Sequence, residues 1–232
     1  MDEKNHRSMV ESARRQGVES DHLLSWVKDH IKTPKGEDFD WYDHQYLLDI
    51  YEDHAADMVL KKAAQIGIST FGMTKALWMA DTEDASIIYT LPTAGDVSNF
   101  SKARINPMIQ SSNYLTARLT GNIDSVELKQ IGNSFLYLRG AWSERQAISV
   151  DSDFNIHDEI DFSKPDIIAI YKERMSHSKW GWFLAFSTPT IPEFGIDYLF
   201  NRSDKKEWFV TCPNCKKKQI LKYPDSIRGD TL

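Results

Sequence analysis

The chain has two cysteines in 232 residues, Cys212 and Cys215, and both sit in one CPNC string. That scarcity excludes a disulfide framework. Nowhere do about 18 apolar residues follow one another. The opening residues MDEKNHRS are polar, so neither a membrane span nor a signal peptide is expected, and the chain reads as cytosolic. Positive charge is in deficit too: 28 Lys and Arg against 34 Asp and Glu leave a formal charge of −6. This excludes a global basic signature of nucleic-acid coating, although a motor can confine its basic surface to one loop or pore. Internal repeats and low-complexity tracts are missing, which removes solenoids and linker-like segments. What is present, 41% hydrophobic and 12% aromatic residues, suffices for one sizeable core with a small appendage.

Along the chain, residues 1–32 read as helical, with Leu23, Leu24, Val27 and Ile31 forming one stripe that packs on the core. Thr33-Pro34-Lys35-Gly36 breaks the pattern. Residues 40–53 read as an aromatic-rich helix, in which core packing is the expected fate of Trp41 and Tyr42. Met58-Val59-Leu60 is a short apolar run, and a helix follows at about 70–80. Strands are expected at 85–90, 153–158 and 182–186, and helices at about 93–110, 112–120, 166–176 and 196–203. The run SVELKQIGNSFLYLRG alternates on either side of Gly132-Asn133 and reads as a hairpin. Strands alternating with helices predict an α/β fold with a mostly parallel sheet flanked by helices.

The organising stretch is VLKKAAQIGIST, residues 59–70. Strand, small-residue loop, hydroxyl pair and helix are the layout of a phosphate-binding P-loop. In the usual string G-x-x-x-x-G-K-[ST], Gly67 and Ser69 are in register. Lys62 occupies the first glycine position and Ile68 the lysine position, so the cation has moved to the loop's other end. Because such a loop wraps a phosphate, an ammonium from either end reaches the same oxygens. Backbone N–H groups, a helix N-terminus, one cation and a metal-binding hydroxyl are all supplied. The competing reading is an ordinary strand-to-helix turn with an incidental lysine. Upstream, the two-faced amide of Gln45 suits an adenine edge, or else Gln45 is a solvent-facing helix residue.

Two later strand ends complete the pattern. Phe154-Asn-Ile-His-Asp158-Glu159 ends in paired carboxylates, the form of a Walker B motif. The first carboxylate would hold the Mg²⁺-bound water network, and the second would polarise the water attacking the γ-phosphate. Asn155 and His157 interrupt the apolar run, and His157 reads as a satisfied histidine at a sheet edge. A rival groups Asp151, Asp153, Asp158, Glu159 and Asp161 as a metal-dependent nuclease cluster. Finally, Ser187-Thr188-Pro189-Thr190 closes the apolar strand 182–186 with small hydroxyls that can sense the γ-phosphate, or is simply a turn.

Together KKAAQIGIST, LPTAGDVSNFSKARINPMI, HDEID and FSTPT resemble the large terminase subunit of tailed bacteriophages over residues 40–215. The similarity is greatest to the lambda-like branch, whose P-loop lysine is also shifted to the start of the loop. The resemblance implies an ASCE-type P-loop ATPase that uses ATP and Mg²⁺ to move double-stranded DNA into a capsid. Partners implied are the small terminase subunit, the portal protein and further copies of the chain in a ring, within the host cytoplasm. Nucleotide would be bound by Gln45, Lys62, Gln65, Gly67, Ser69 and Thr70, and Mg²⁺ by Ser69 and Asp158. Glu159 would be the catalytic carboxylate, and Ser187, Thr188 and Thr190 the coupling segment. Arg145 is the expected trans-acting arginine, with Arg139 and Arg104 as competitors, and Lys61 as a stand-in for Lys62.

The implied organisation is a helical segment over 1–36, an ATPase domain over 37–205, and the start of a zinc-ribbon-like or linker segment over 206–232. The chain ends near where the family's nuclease domain would be joined, so cutting activity is not expected. Cys212 and Cys215 supply half of a tetrahedral zinc site and are expected to stay a reduced dithiol. A superfamily-2-like helicase and a non-catalytic nucleotide-binding scaffold remain the alternatives.

Overall fold

A computed structural model describes residues 22–33, 36–148 and 150–221. The expected helix before residue 22, and Pro34-Lys35 of the expected loop, lie outside the described residues.

The chain builds one seven-stranded sheet: β1 (Asp57–Lys61), β2 (Ile87–Leu91), β3 (Leu119–Asp124), β4 (Leu128–Ile131), β5 (Ser134–Gly140), β6 (Phe154–Asp158) and β7 (Trp182–Ser187). Their spatial order is β1-β7-β6-β2-β5-β4-β3. The first five in that order run parallel, and β4 and β3 extend the sheet antiparallel. Every residue of β2, β6 and β7 is buried, as expected of parallel strands covered on both faces. Burial in β5 alternates instead, where the antiparallel extension begins.

The expected hairpin is β4–β5, closed by Gly132 with φ +58. β3 departs from expectation, since residues 119–120 read as the end of a helix and 121–124 carry no strand signal. Its polar sequence LTGNID has weak strand propensity, and it pairs as an edge strand with a register irregularity. The aromatic-rich helix is shorter than expected: α2 covers Tyr46–Glu52. Trp41 enters the core, whereas Tyr42 is 82% exposed, contrary to its expected packing.

Helix α1 (His22–His30) packs on α2 and on α3 (Ile68–Thr82). Leu23, Val27 and Ile31 are buried as the stripe predicts, with Leu24 half-buried. Asp81 at the end of α3 gathers this corner, accepting hydrogen bonds from Trp26, Tyr114 and Arg118. α3 itself is buried on nearly all sides, because it lies against the sheet while α1 and α2 cover it. Even Lys75 is 2% exposed, its ammonium set over the rings of Phe71 and Trp182. Gly72 is where α3 meets the sheet most closely: a Cβ there would stand 2.8 Å from the Phe186 ring.

After β2 come α4 (Ala94–Phe100), a π-helical turn (Ser101–Ile105) and α5 (Asn106–Gln110), one continuous path started by a Thr93–Asp96 capping box. α6 (Asn113–Arg118), α7 (Glu144–Ala147), α8 (Pro165–Glu173) and α9 (Gly195–Phe200) complete the helices described. A two-stranded ribbon, β8 (Val210–Thr211) with β9 (Lys218–Gln219), brackets the CPNC string. Among the described residues no helix is long and apolar enough to cross a membrane.

Candidate active site

Because β1, β6 and β7 are parallel neighbours, their C-terminal ends fall on one rim of the sheet, where α/β folds bind ligands. The segment following β1 is a loop that ends at α3. Gln65 (φ 60) and Gly67 (φ 84) are both left-handed, and such alternation turns successive N–H groups toward one concavity. Gly67 is required twice over, by its φ and by a Cβ that would meet Leu47 at 2.9 Å. Lys62 anchors the loop's start, its N–H donating to Ser187 O at 3.0 Å. Tyr46 anchors its far end, donating its hydroxyl to Ile66 O at 2.8 Å.

The loop borders a cavity of about 420 Å³ whose walls include Lys62, Gln65, Gly67, Ser69, Thr70, Glu159, His44 and Arg104. Lys62 is 9% exposed, and its ammonium donates to Glu159 Oε1 at 2.6 Å. Glu159 Oε2 accepts from the Ser187 hydroxyl at 3.0 Å and from Thr188 N–H at 3.4 Å. Three segments read separately in the sequence therefore meet at one carboxylate. Glu159 takes φ 54, ψ 50, a left-handed conformation uncommon for a residue with a Cβ. That kink at the strand end turns Glu159 away from the course of Asp158, as two carboxylates with separate tasks require.

Asp158 is 2% exposed. Its Oδ2 accepts from the Tyr89 hydroxyl at 2.9 Å, while its buried Oδ1 has no hydrogen-bond partner. Burial pushes its carboxyl up to about 6, opposed by hydrogen bonds from Tyr89 and Ser69 and by the charge of Lys62. A buried carboxylate oxygen without a partner, with the Ser69 hydroxyl on the same carboxyl, fits an oxygen-seeking divalent cation such as Mg²⁺. Tyr89 is the residue sequence reading missed here, since within a buried strand a tyrosine looks like core.

The interruptions of the β6 apolar run are accounted for. Asn155 donates to Tyr171 O and accepts from Ser152, both at 2.6 Å. His157 lies in mid-sheet rather than at an edge; Nδ1 is 2.7 Å from Thr90 Oγ1, and Nε2 has no partner. Its burial brings the imidazole down to about 3, so it is neutral.

The other expected residues sort as follows. Gln45 precedes α2, exposed, while its neighbour His44 lines the cavity. Thr190 donates through N–H and hydroxyl to Asp161 Oδ2, at 2.8 and 2.9 Å. Lys61 points away from the site and donates to Asp197 at 2.6 Å, because adjacent strand residues face opposite sides. Arg139 is committed to the Glu127 and Leu138 carbonyls and to the Tyr137 ring. Arg145 is exposed on α7 and does not line the carbon-walled cavity of about 530 Å³ that includes Trp142, Phe162 and Glu159. Arg104 lies in the cavity of its own chain.

The acidic residues of the nuclease reading disperse. Asp153 accepts from Ser86 N–H and Ser178 near the start of β6, and Asp161 from Ile196 N–H at α9. Among the described residues no three His, Cys, Asp or Glu gather as a metal cluster. Cys212 and Cys215 are free thiols on the ribbon, and backbone N–H groups of Cys215 and Asn214 hold the Cys212 thiol below its ordinary pKa.

The family model described as the ATPase domain of the phage terminase large subunit gpA matches residues 45–229. Among solved structures, the HK97 bacteriophage large terminase superposes with a TM-score of 0.63 and 11% identity, covering 78% of this chain and 40% of that one. The chain thus spans well under half of the HK97 protein. The ATPase domain of the Thermus phage P74-26 large terminase, as a point mutant and without it, gives TM-scores of 0.57 and 0.56. Each has 16% identity and covers 77% of this chain and 76% of that one. No curated protein matches the sequence.

Proposed function

Since this chain belongs to the family of phage terminase large subunit gpA ATPase domains, we propose that it hydrolyses Mg²⁺-ATP to drive double-stranded DNA into a capsid. The observation that carries this reading is the meeting of Lys62, Glu159 and Ser187 at 2.6 and 3.0 Å. A displaced P-loop cation, a paired-carboxylate strand end and a hydroxyl-rich strand end form one site.

The nucleotide phosphates would lie against the loop N–H groups, with Lys62 and Ser69 beside them. Ser69 and Asp158 would hold Mg²⁺, which, when bound, offsets phosphate charge. Lys62 and Glu159 are hydrogen-bonded partners. Incoming phosphate oxygens compete for the Lys62 ammonium and release Glu159 to hold the attacking water. Phosphoryl transfer of this kind depends mostly on positioning and electrostatics. Ser187 and Thr188 keep one Glu159 oxygen fixed, so the carboxylate moves about a hinged contact. Gln45 would meet the adenine edge, with His44 beside it on the cavity wall.

Turnover in a ring would use Arg145 of a neighbouring copy, which its exposure on α7 supports. Duplex DNA, the small terminase subunit and the portal would be the partners, in the host cytoplasm. DNA cleavage is not expected of this chain. The 1–36, 37–205 and 206–232 division stands as the proposed organisation.

The deciding experiment is Mg²⁺-dependent ATP turnover in the wild type and in Glu159→Gln, under conditions that assemble rings. Turnover in the wild type and its loss in the variant is expected. A wild-type chain that binds but never hydrolyses ATP would make it a scaffold. DNA translocation without strand displacement separates the motor from a helicase.

A further inference from the structure

Arg104 is the one cavity cation with no anion of its own. Lys62 is neutralised by Glu159, whereas Arg104 makes no ion pair or hydrogen bond among the described residues. Its position follows from the π-helical turn, where Asn106 N–H reaches back five residues to Ser101 O. Ser101 and Ile105 are 0 and 1% exposed and fix this turn to the core. The wider turn carries Lys102, Ala103 and Arg104 outward, and only Arg104 of the three lines the cavity. Such single π turns recur where a helix must aim a functional side chain. Arg104 is also close enough to act electrostatically on the Tyr89 hydroxyl, which donates to Asp158. It shares the cavity wall with Glu159, the neighbour of Asp158.

The cavity has a matching deficit. In a usual P-loop a lysine stands where this chain has Ile68, a carbon side chain 3% exposed in the main core. Asp158 and Glu159 add two carboxylates that Lys62 alone does not balance. A nucleoside triphosphate bringing Mg²⁺ to Ser69 and Asp158 still leaves its terminal phosphate with one lysine, and a second side-chain cation suits it.

We propose that Arg104 binds the terminal phosphate of ATP held in its own chain, as a second cation beside the displaced P-loop lysine, Lys62. This rests on the ATP reading of the cavity and adds to it a residue that acts in cis. A planar guanidinium suits two phosphate oxygens at once, which a lysine does not. Because the contact is to the terminal phosphate, Arg104 discriminates ATP from ADP.

The test is equilibrium binding of a non-hydrolysable ATP analogue and of ADP, each with Mg²⁺, to the full chain. Arg104→Ala is expected to raise the Kd for the ATP analogue about tenfold or more and to leave ADP within about twofold. Arg104→Lys recovers part of the loss, and melting is unchanged because the side chain is exposed. Equal affinities in wild type and Arg104→Ala would overturn the inference while leaving the ATP site intact. A wild type that binds neither nucleotide overturns the site reading itself, and the inference with it. A second arm mixes Arg104→Ala with Glu159→Gln subunits. No recovery of turnover is expected of a residue acting in cis; recovery on mixing would show that Arg104 serves a neighbour.

Discussion

Lys62 Nζ and Glu159 Oε1 stand 2.6 Å apart, although 97 residues separate them in the chain. Each is the other's ion-pair partner. Removing one therefore leaves the other partly buried and uncompensated, and its removal is felt in both binding and fold.

Lys62→Ala is expected to lower ATP turnover by about 10²-fold or more and to weaken nucleotide binding. Lys61→Ala leaves turnover within about twofold, since Lys61 is paired with Asp197 on the other side of the strand. Steady-state kinetics on the two variants separates the adjacent lysines. Normal turnover in Lys62→Ala would reassign the loop's cation.

Ile68→Lys in a Lys62→Ala background restores a lysine at the usual P-loop position. Ile68 is buried, at 3% exposure. A lysine there must pull its stem from the core, so the melting temperature should fall by several degrees with little recovery of turnover. Calorimetry and kinetics on the double variant check both.

Gly72→Ala places a Cβ 2.8 Å from the Phe186 ring and 3.3 Å from the Tyr89 hydroxyl. Phe186 is locked in a buried parallel strand and has little room to give. Overpacking of this kind costs about 1–3 kcal/mol. Urea unfolding should record that loss, and Mg²⁺-dependent turnover should fall with it, because Tyr89 holds Asp158.

Lys75 is buried in α3, and desolvation brings its ammonium down to about 8, only partly opposed by Asp53. The folded pKa lies below the unfolded value of 10.5, so between the two the unfolded chain binds more protons. Stability from this group is therefore lowest below pH 8 and rises as the pH climbs toward 10.5. Lys75→Met should gain about 1–3 kcal/mol at pH 7.5 and lose most of that advantage by pH 10. Paired urea titrations at the two pH values give the difference.

Element types and their order could be read from the chain because burial patterns left local marks. β2 and β7 are short uninterrupted apolar runs, and Gly132 marks the β4–β5 turn. β3 left no such mark: TGNID is turn chemistry, and only its neighbour β4 makes it a strand. In the site, Gly67, Ser69, Asp158 and Glu159 were legible through spacing. Tyr89 was not, since a hydroxyl bonded 69 residues away leaves no periodic trace. Arg104 was legible as a charge but not as a cavity wall, because a regular helix over 93–110 would aim it differently from the π turn. Lys61 and Lys62 were ambiguous until strand alternation sent them to opposite faces.

The strand end at Ser187 belongs to a closed circuit. Ser187 O holds Lys62 N–H, Ser187 and Thr188 hold Glu159, and Thr190 holds Asp161. Asp161 holds the Ile196 N–H of α9, and Asp197 one residue on returns to Lys61 at 2.6 Å. A chain of four residues spans at most about 14 Å, and this one is pinned at both ends, so it has no slack. The Lys62–Glu159 pair and α9 are thereby joined by an unbroken run of hydrogen bonds through one short segment, Ser187 to Thr190.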